Sequence, residues 1–164
     1  MTGAPILRPA GPQDAQDLWR ILQPVFRAGD SYAVDLDISE SAALHYWTGG
    51  DKTAYLAVLS DQAVGSYYLR PNHPGGGAHV CNCGFVTHPQ ARGQGVARTM
   101  LEHALKTAKF AGYSAMQFNF VLASNAAAIH LWQSYGFAEV GRLPQAFQHP
   151  ALGLIDALVM HRQL

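Results

Sequence analysis

The stretch that most constrains the fold of this chain is "HPQARGQGVARTML", at residues 88–101. Residues 78–87 before it are typical of a strand, and apolar residues recur at helical spacing after it. Gly93 and Gly95 destabilise a helix, so this turn requires a backbone without Cβ. One interpretation is a tight strand-to-helix turn. The other is an anion site, because N–H groups and the positive end of the helix dipole point outward there.

Two common nucleotide motifs do not fit this turn. A P-loop requires Gly-Lys-Ser/Thr, which the stretch lacks. A dinucleotide fingerprint requires a small residue three positions after Gly95, where Arg98 stands. The anion would therefore belong to another class of ligand.

The order of the remaining elements predicts a single mixed α/β domain over residues 1–164. Its front half reads as antiparallel strands, and its back half alternates strand and helix. Strands are predicted at 4–10, 53–60, 63–70, 78–87, 113–122, 137–143 and 153–164, and helices at 11–26, 39–47, 96–111 and 125–135.

Charge excludes several kinds of partner. Eleven Lys and Arg residues balance eleven Asp and Glu residues, so no basic surplus exists for nucleic acid or for a membrane surface. The first residues show no signal-peptide pattern, and no apolar run is long enough to span a bilayer. We therefore expect a cytoplasmic protein without a nucleic-acid or membrane partner. The sequence permits a homodimer.

The two cysteines, Cys81 and Cys83, lie two residues apart on a predicted strand. They share a face, which disfavours a mutual disulfide. With nearby histidines they raise a zinc site as an alternative, but the spacing matches no common zinc motif. We expect buried thiols and no metal.

A resemblance to a known family narrows the anion site. The run from Val86 to Ala97 resembles the acetyl-CoA-binding core of the GCN5-related N-acetyltransferases (GNAT family). Arg92, Gly95 and Ala97 fit the family signature (Gln/Arg)-x-x-Gly-x-(Gly/Ala). About thirty residues on, "NAAAIHLWQSYGF" at 125–137 is similar to the second family block.

The resemblance implies a GNAT fold: a mostly antiparallel seven-stranded sheet, splayed at its centre and flanked by about four helices. It also implies acetyl-CoA as the co-substrate, bound along the strand end and the glycine turn. The residues it assigns to acetyl-CoA are Phe85, Val86 and Thr87 for the pantetheine arm, Arg92, Gly93, Gln94, Gly95, Val96 and Ala97 for the pyrophosphate, and Asn125 and Trp132 beside the thioester.

The chain departs from the family at the residue that protonates the leaving thiolate. Many members have a Tyr there, whereas this chain has Trp132, and an indole N–H is not such a proton donor. Tyr135 lies three residues on and could substitute. Its alternative role is a packing aromatic beside Phe137.

Asn82 and Asn119 are the other catalytic candidates. Asparagine is disfavoured inside strands and costly to bury without partners. These amides could stabilise a developing oxyanion or bind a substrate carboxylate. They could equally tie backbone groups together across the splay. With Asn125 they resemble the acetyltransferases that act on proline analogues.

We therefore expect transfer of acetyl to a small-molecule amine, which would be the main partner of this protein. In one interpretation this amine resembles proline. Its pocket is expected from residues 26–40, the strand end "YYLRPNHP" and a loop at 143–152, with Tyr32, Tyr68 and His73 as candidates. A protein lysine or N-terminal acetyltransferase is the first alternative. A non-catalytic acetyl-CoA sensor is an alternative of another class.

Overall fold

The computed structural model describes residues 3–164, and its elements follow the predicted order. Short 3-10 turns precede the first long helix and the glycine turn. The strands are β1 (Ile6–Pro9), β2 (Thr53–Leu59), β3 (Gln62–Pro71), β4 (Val80–Thr87), β5 (Ala115–Leu122), β6 (Ala138–His149) and β7 (Gly153–Gln163). The helices are α1 (Ala15–Ala28), α2 (Glu40–Thr48), α3 (Val96–Phe110) and α4 (Ala126–Ser134).

The seven strands form one sheet in the order β1-β2-β3-β4-β5-β7-β6. All neighbours are antiparallel except β4 and β5, which are parallel and pair only at Val80 with Ala115 and at Cys81 with Met116. Beyond Cys81 the two strands separate, so the sheet opens at its centre. The predicted fold class, a splayed and mostly antiparallel seven-stranded sheet with four helices, is confirmed.

The two faces of the sheet carry separate apolar clusters. One cluster packs α3 and α4 against the sheet, with Tyr67, Met100 and Trp132 among its buried members. The other packs α1 and α2 against the opposite face, with Ile21 and Trp47 fully buried. Alternation along the strands supplies both clusters, because successive side chains point to opposite faces.

Two predicted boundaries are wrong. The first helix was expected from residue 11, but α1 begins at Ala15 after a 3-10 turn at Pro12–Asp14. The carboxylate of Asp14 accepts the Gly11 N–H at 2.8 Å, which stabilises that turn. The loop expected at 143–152 is mostly strand, because β6 continues to His149.

The continuation of β6 depends on an irregular stretch between Leu143 and Phe147. Gln145 adopts a φ of 48° there, and its N–H donates to the Asp156 carboxylate of β7 at 3.0 Å. Such a bulge bends a strand without ending it. Pro144 and the bulge interrupt the alternating pattern of the strand, which explains why the sequence predicted a loop.

Among the helices of residues 3–164, none has the length and apolar character required to cross a bilayer. Over the same residues, no three His, Cys, Asp or Glu side chains come together as a metal site.

Candidate active site

The separation of β4 from β5 opens a cavity of about 960 Å³. The ends of β4 and β5, the glycine turn, α4 and the segment between α1 and α2 all contribute to its wall. Of the predicted site residues, the cavity is lined by Asn82, Phe85, Val86, Thr87, Arg92, Gly93, Gly95, Val96, Ala97, Asn119, Asn125 and Trp132.

The glycine turn has the geometry of an anion site. Gly93 and Gly95 both lie in the left-handed region, with φ of 77° and 78°, where side chains with Cβ are strained. A Cβ at either position would meet no neighbouring atom within 4 Å, so the backbone conformation and not packing requires glycine. Within residues 3–164, the amides from Gly93 to Arg98 have no hydrogen-bond acceptor. They therefore can bind an anion at the start of α3.

The open edge of β4 lies beside this turn. From Asn82 to Thr87 the strand pairs with β3 on one side only, since its pairing with β5 ends at Cys81. The Phe85 carbonyl accepts a hydrogen bond from the Tyr32 hydroxyl at 2.8 Å. An extended ligand could add to this edge as a further strand would, which fits the predicted role of residues 85–87.

Trp132 forms an apolar wall of the cavity. Its ring lies 5.2 Å from that of Phe85 and 5.0 Å from that of Phe118, measured between centroids, and it is 7% exposed. Asn125 caps α4, because its side-chain oxygen accepts the Ala128 N–H at 3.2 Å. The sequence predicted both residues at the site, and here each also has a structural role.

Two predicted residues do not face the cavity. The Tyr135 hydroxyl donates to the Glu102 carboxylate, and the Arg98 guanidinium lies over its ring. That hydrogen bond raises the pKa of Tyr135. Tyr135 thus packs between α3 and α4, as the alternative interpretation held, and is not in place as an acid. The Gln94 side chain donates to the Gln90 carbonyl at 3.0 Å and borders a separate cavity of about 260 Å³.

The asparagines are both engaged by the protein. The Asn82 amide donates to the Gln117 carbonyl at 2.9 Å, across the gap between β4 and β5. The Asn119 amide donates to the side chain of Asn72 at 2.7 Å and its oxygen accepts from the Gln117 side chain at 2.9 Å. Asn72 belongs to the strand end "YYLRPNHP" that was expected at the pocket, but its contact with Asn119 was not predicted from the sequence.

One part of the cavity is aromatic. We call it the acceptor end, after the amine pocket that was expected at residues 26–40. Tyr32, Tyr46 and Tyr68 line it, and burial raises the pKa of all three hydroxyls. These phenols therefore keep their protons at neutral pH. Lys52 stands outside, with Nζ 5.4 Å from the centroid of the Tyr68 ring. Burial lowers the pKa of this lysine.

The expected location of the pocket is largely correct. Segment 26–40 supplies Asp30, Ser31, Tyr32 and Ala33, and the tip of the β6–β7 hairpin supplies His149 and Leu152. His73 does not line the cavity. Tyr46 was missed, because it lies on α2, whose residues read as ordinary helix packing.

The cysteines are buried free thiols in this structure. Cys83 lies at the cavity with its sulfur 3.8 Å from that of Met116, and burial raises the pKa of its thiol. A protonated, buried thiol is a poor nucleophile and a poor metal ligand. Packing is therefore its role in the fold.

The splayed sheet and the glycine turn have the arrangement that the resemblance implied. The model of the acetyltransferase (GNAT) family matches residues 15–137. The chain belongs to this family.

Relatives and solved structures agree with this assignment. N-acetyltransferase aca1 of Schizosaccharomyces pombe is 35% identical over 83 residues, which is 51% of this chain and 40% of aca1. A GCN5-related N-acetyltransferase from Kribbella flavida is 36% identical, with 98% of each chain covered and a TM-score of 0.92. A phosphinothricin acetyltransferase from Sinorhizobium meliloti, solved in complex with AcCoA, shares the fold at 18% identity, with 99% and 89% covered and a TM-score of 0.85. The match thus covers about two fifths of the length of aca1.

Proposed function

We propose that this protein transfers acetyl from acetyl-CoA to the nitrogen of a small-molecule amine. A bond forms between the amine nitrogen and the acetyl carbonyl carbon, the carbon–sulfur bond breaks, and CoA leaves as the thiol. The observation that carries the proposal is that one continuous cavity contains both the free amides at Gly93–Arg98 and the tyrosine-lined acceptor end.

Residues of this chain would bind the donor in two ways. The amides from Gly93 to Arg98 would hold the pyrophosphate, aided by the positive end of the α3 dipole. The open edge of β4 at residues 85–87 would hydrogen-bond the pantetheine amides. The Sinorhizobium protein, with this fold and AcCoA bound, supports acetyl-CoA as the donor.

The acceptor end favours a compact amine. Tyrosine side chains from three elements line it, and the cavity lining adds one acidic residue, Asp30, and one histidine, His149. A concave and mostly apolar cavity with a few polar groups is typical of sites for small ligands. A proline-like amino acid is one member of this class, and the resemblance in the asparagines supports including it among the acceptors tested.

Protonation of the leaving thiolate would not depend on the residue at position 132, which is a tryptophan in this chain. The tyrosines of the acceptor end carry raised pKa values and remain proton donors at neutral pH. A group that keeps its proton cannot be the base, which leaves Asp30, His149 or solvent to take the proton of the amine. The chain then contributes mainly by holding both substrates in contact, which alone accelerates such reactions greatly.

The test is release of free CoA thiol from acetyl-CoA with a panel of amines, including proline and azetidine-2-carboxylate. We expect saturable turnover with at least one small amine. Lysine-containing and N-terminal peptides form a second arm, and turnover confined to peptides would favour the protein-acetylating alternative. Tight acetyl-CoA binding without thiol release from any acceptor would instead identify a sensor.

A further inference from the structure

Ser31 lies at the acceptor end, in the segment between α1 and α2 and next to Tyr32. Over residues 3–164, its hydroxyl is the one buried side-chain polar atom that lacks a hydrogen-bond partner. Part of the residue reaches the surface of the cavity, but the hydroxyl oxygen itself is buried.

An unpaired buried hydroxyl destabilises a fold, because it has left water without gaining a partner. Native structures hold few such groups, and each requires an explanation. Since Ser31 lines a cavity, rotation of its side chain about the Cα–Cβ bond would let a bound molecule supply the missing partner. Local backbone capping does not explain it, since no hydrogen bond joins this hydroxyl to the surrounding described chain.

Several other polar groups around the acceptor end are already bonded within the protein. The Tyr32 hydroxyl donates to the Phe85 carbonyl, and the Asn82 amide donates to the Gln117 carbonyl. Asn119 is bonded to Asn72. The hydroxyls of Tyr46 and Tyr68 make no hydrogen bond either, but among the described residues only that of Ser31 is both unpaired and buried.

We propose that Ser31 is a specificity residue that hydrogen-bonds a polar substituent of the acceptor, a carboxyl or carboxamide group close to the reacting amine. A serine hydroxyl is neutral and both donates and accepts, so it suits either substituent. It is poorly suited to the reacting nitrogen, whose lone pair must face the acetyl carbon. This inference rests on the proposed function, because it assigns an acceptor contact within that same site.

The experiment measures kcat/KM for wild type and Ser31→Ala with matched acceptors. The pairs share the reacting amine and differ in the substituent: L-proline with pyrrolidine, and glycinamide with methylamine. We expect Ser31→Ala to lower kcat/KM about ten-fold for L-proline or glycinamide and to leave the bare amine within two-fold. The KM for acetyl-CoA should not change.

The melting temperature Tm distinguishes a specificity role of Ser31 from a structural one. If Ser31 stabilised the fold, Ser31→Ala would lower the Tm. Removing an unpaired buried hydroxyl should leave the Tm of Ser31→Ala unchanged or raised. Ser114→Ala is the matched control, since its exposed hydroxyl donates to the His79 carbonyl at 3.2 Å away from the cavity. This control should leave both acceptor pairs unaffected.

The outcomes separate the two proposals. An equal loss with both members of a pair, or a lowered Tm with no change in discrimination, would overturn the role of Ser31 and leave the acetyltransferase proposal standing. Absence of turnover by wild type with every amine would overturn the proposed function, and the role of Ser31 with it.

Discussion

The side-chain amide of Asn82 donates to the backbone carbonyl of Gln117 at 2.9 Å, at the point where β4 and β5 separate. This bond fastens the two strands just beyond their last paired residues. Asn82→Ala should therefore lower the free energy of unfolding by about 1 kcal/mol, the usual size for one hydrogen bond. Urea denaturation measures this loss.

Gln117→Ala is the matched control for Asn82→Ala, because it removes a neighbouring side chain and keeps the carbonyl that Asn82 contacts. We expect it to retain the bond and most of the stability. If Asn82→Ala kept full stability while kcat fell a hundred-fold, the amide would be acting on the reacting group instead.

Gly95→Glu should abolish acetyl-CoA binding, since it places a carboxylate beside amides that are free for an anion. Gly95→Ala adds only the strain of a Cβ at a φ of 78°, about 1–2 kcal/mol, with no neighbouring atom to meet. Calorimetric titration should show at least a hundred-fold weaker binding for the glutamate and a much smaller change for the alanine. Unchanged affinity in a folded Gly95→Glu protein would contradict the anion site.

Asn119→Ala should lower kcat about ten-fold and change the KM for acetyl-CoA less than two-fold. Asn119 borders the acceptor end and is fixed by Asn72, so its loss disturbs positioning of the acceptor more than the glycine turn. Steady-state kinetics with the donor and acceptor varied in turn separates these effects. Asn72→Ala removes the hydrogen-bond partner of the Asn119 amide but keeps the amide itself. We therefore expect it to lower kcat by less than Asn119→Ala does. Equal losses in both parameters would make Asn119 structural.

The fold was largely predictable because each element carries a strong local pattern. The strand, glycine turn and helix around Gly93 and Gly95 follow from backbone conformation alone, and the positive φ values confirm that both glycines are required. The boundaries at Ala15 and His149 depend on hydrogen bonds that the carboxylates of Asp14 and Asp156 accept from the N–H groups of Gly11 and Gln145. The sequence pattern does not relate the residues of either pair.

The site was predictable where the backbone forms it and less so where side chains meet from distant elements. Positions 85–87 and 92–97 follow one another along the chain, so one motif located them. Ser31 comes to the cavity from the segment between α1 and α2, and Asn72 contacts Asn119 from the loop after β3. Neither belongs to a periodic pattern. Tyr135 shows the opposite error, since a helical spacing of three put it near Trp132 while its hydroxyl faces Glu102.

Tyr135→Phe should leave kcat and its pH profile unchanged, because the hydroxyl contacts Glu102 and Arg98 and does not reach the cavity. Surface contacts of this kind contribute little, so the free energy of unfolding should stay essentially unchanged. The check is kcat measured from pH 6 to pH 10. A ten-fold loss together with disappearance of a basic limb would restore Tyr135 as the acid.

Asp14→Asn should lower stability at neutral pH by about 1–3 kcal/mol, the cost of losing hydrogen bonds to a charged group. Its carboxylate is 5% exposed and accepts two bonds from Arg8, at 2.7 and 2.9 Å, besides that from the Gly11 N–H. The bonds from Arg8, followed by that from Gly11, hold the pKa of Asp14 below its ordinary value of 3.8.

A carboxyl whose pKa is lowered by folding stabilises the protein above the ordinary pKa and loses that contribution as pH falls through the lowered value. The stability difference between wild type and Asp14→Asn should therefore be full at pH 7 and shrink below about pH 4. Urea denaturation at several pH values tests this. Asp17→Asn serves as the control, since its exposed pair with Arg20 at 3.3 Å should contribute less than about 0.5 kcal/mol. A difference for Asp14→Asn that stayed constant down to pH 3 would show that the charge of Asp14 is not what stabilises the turn.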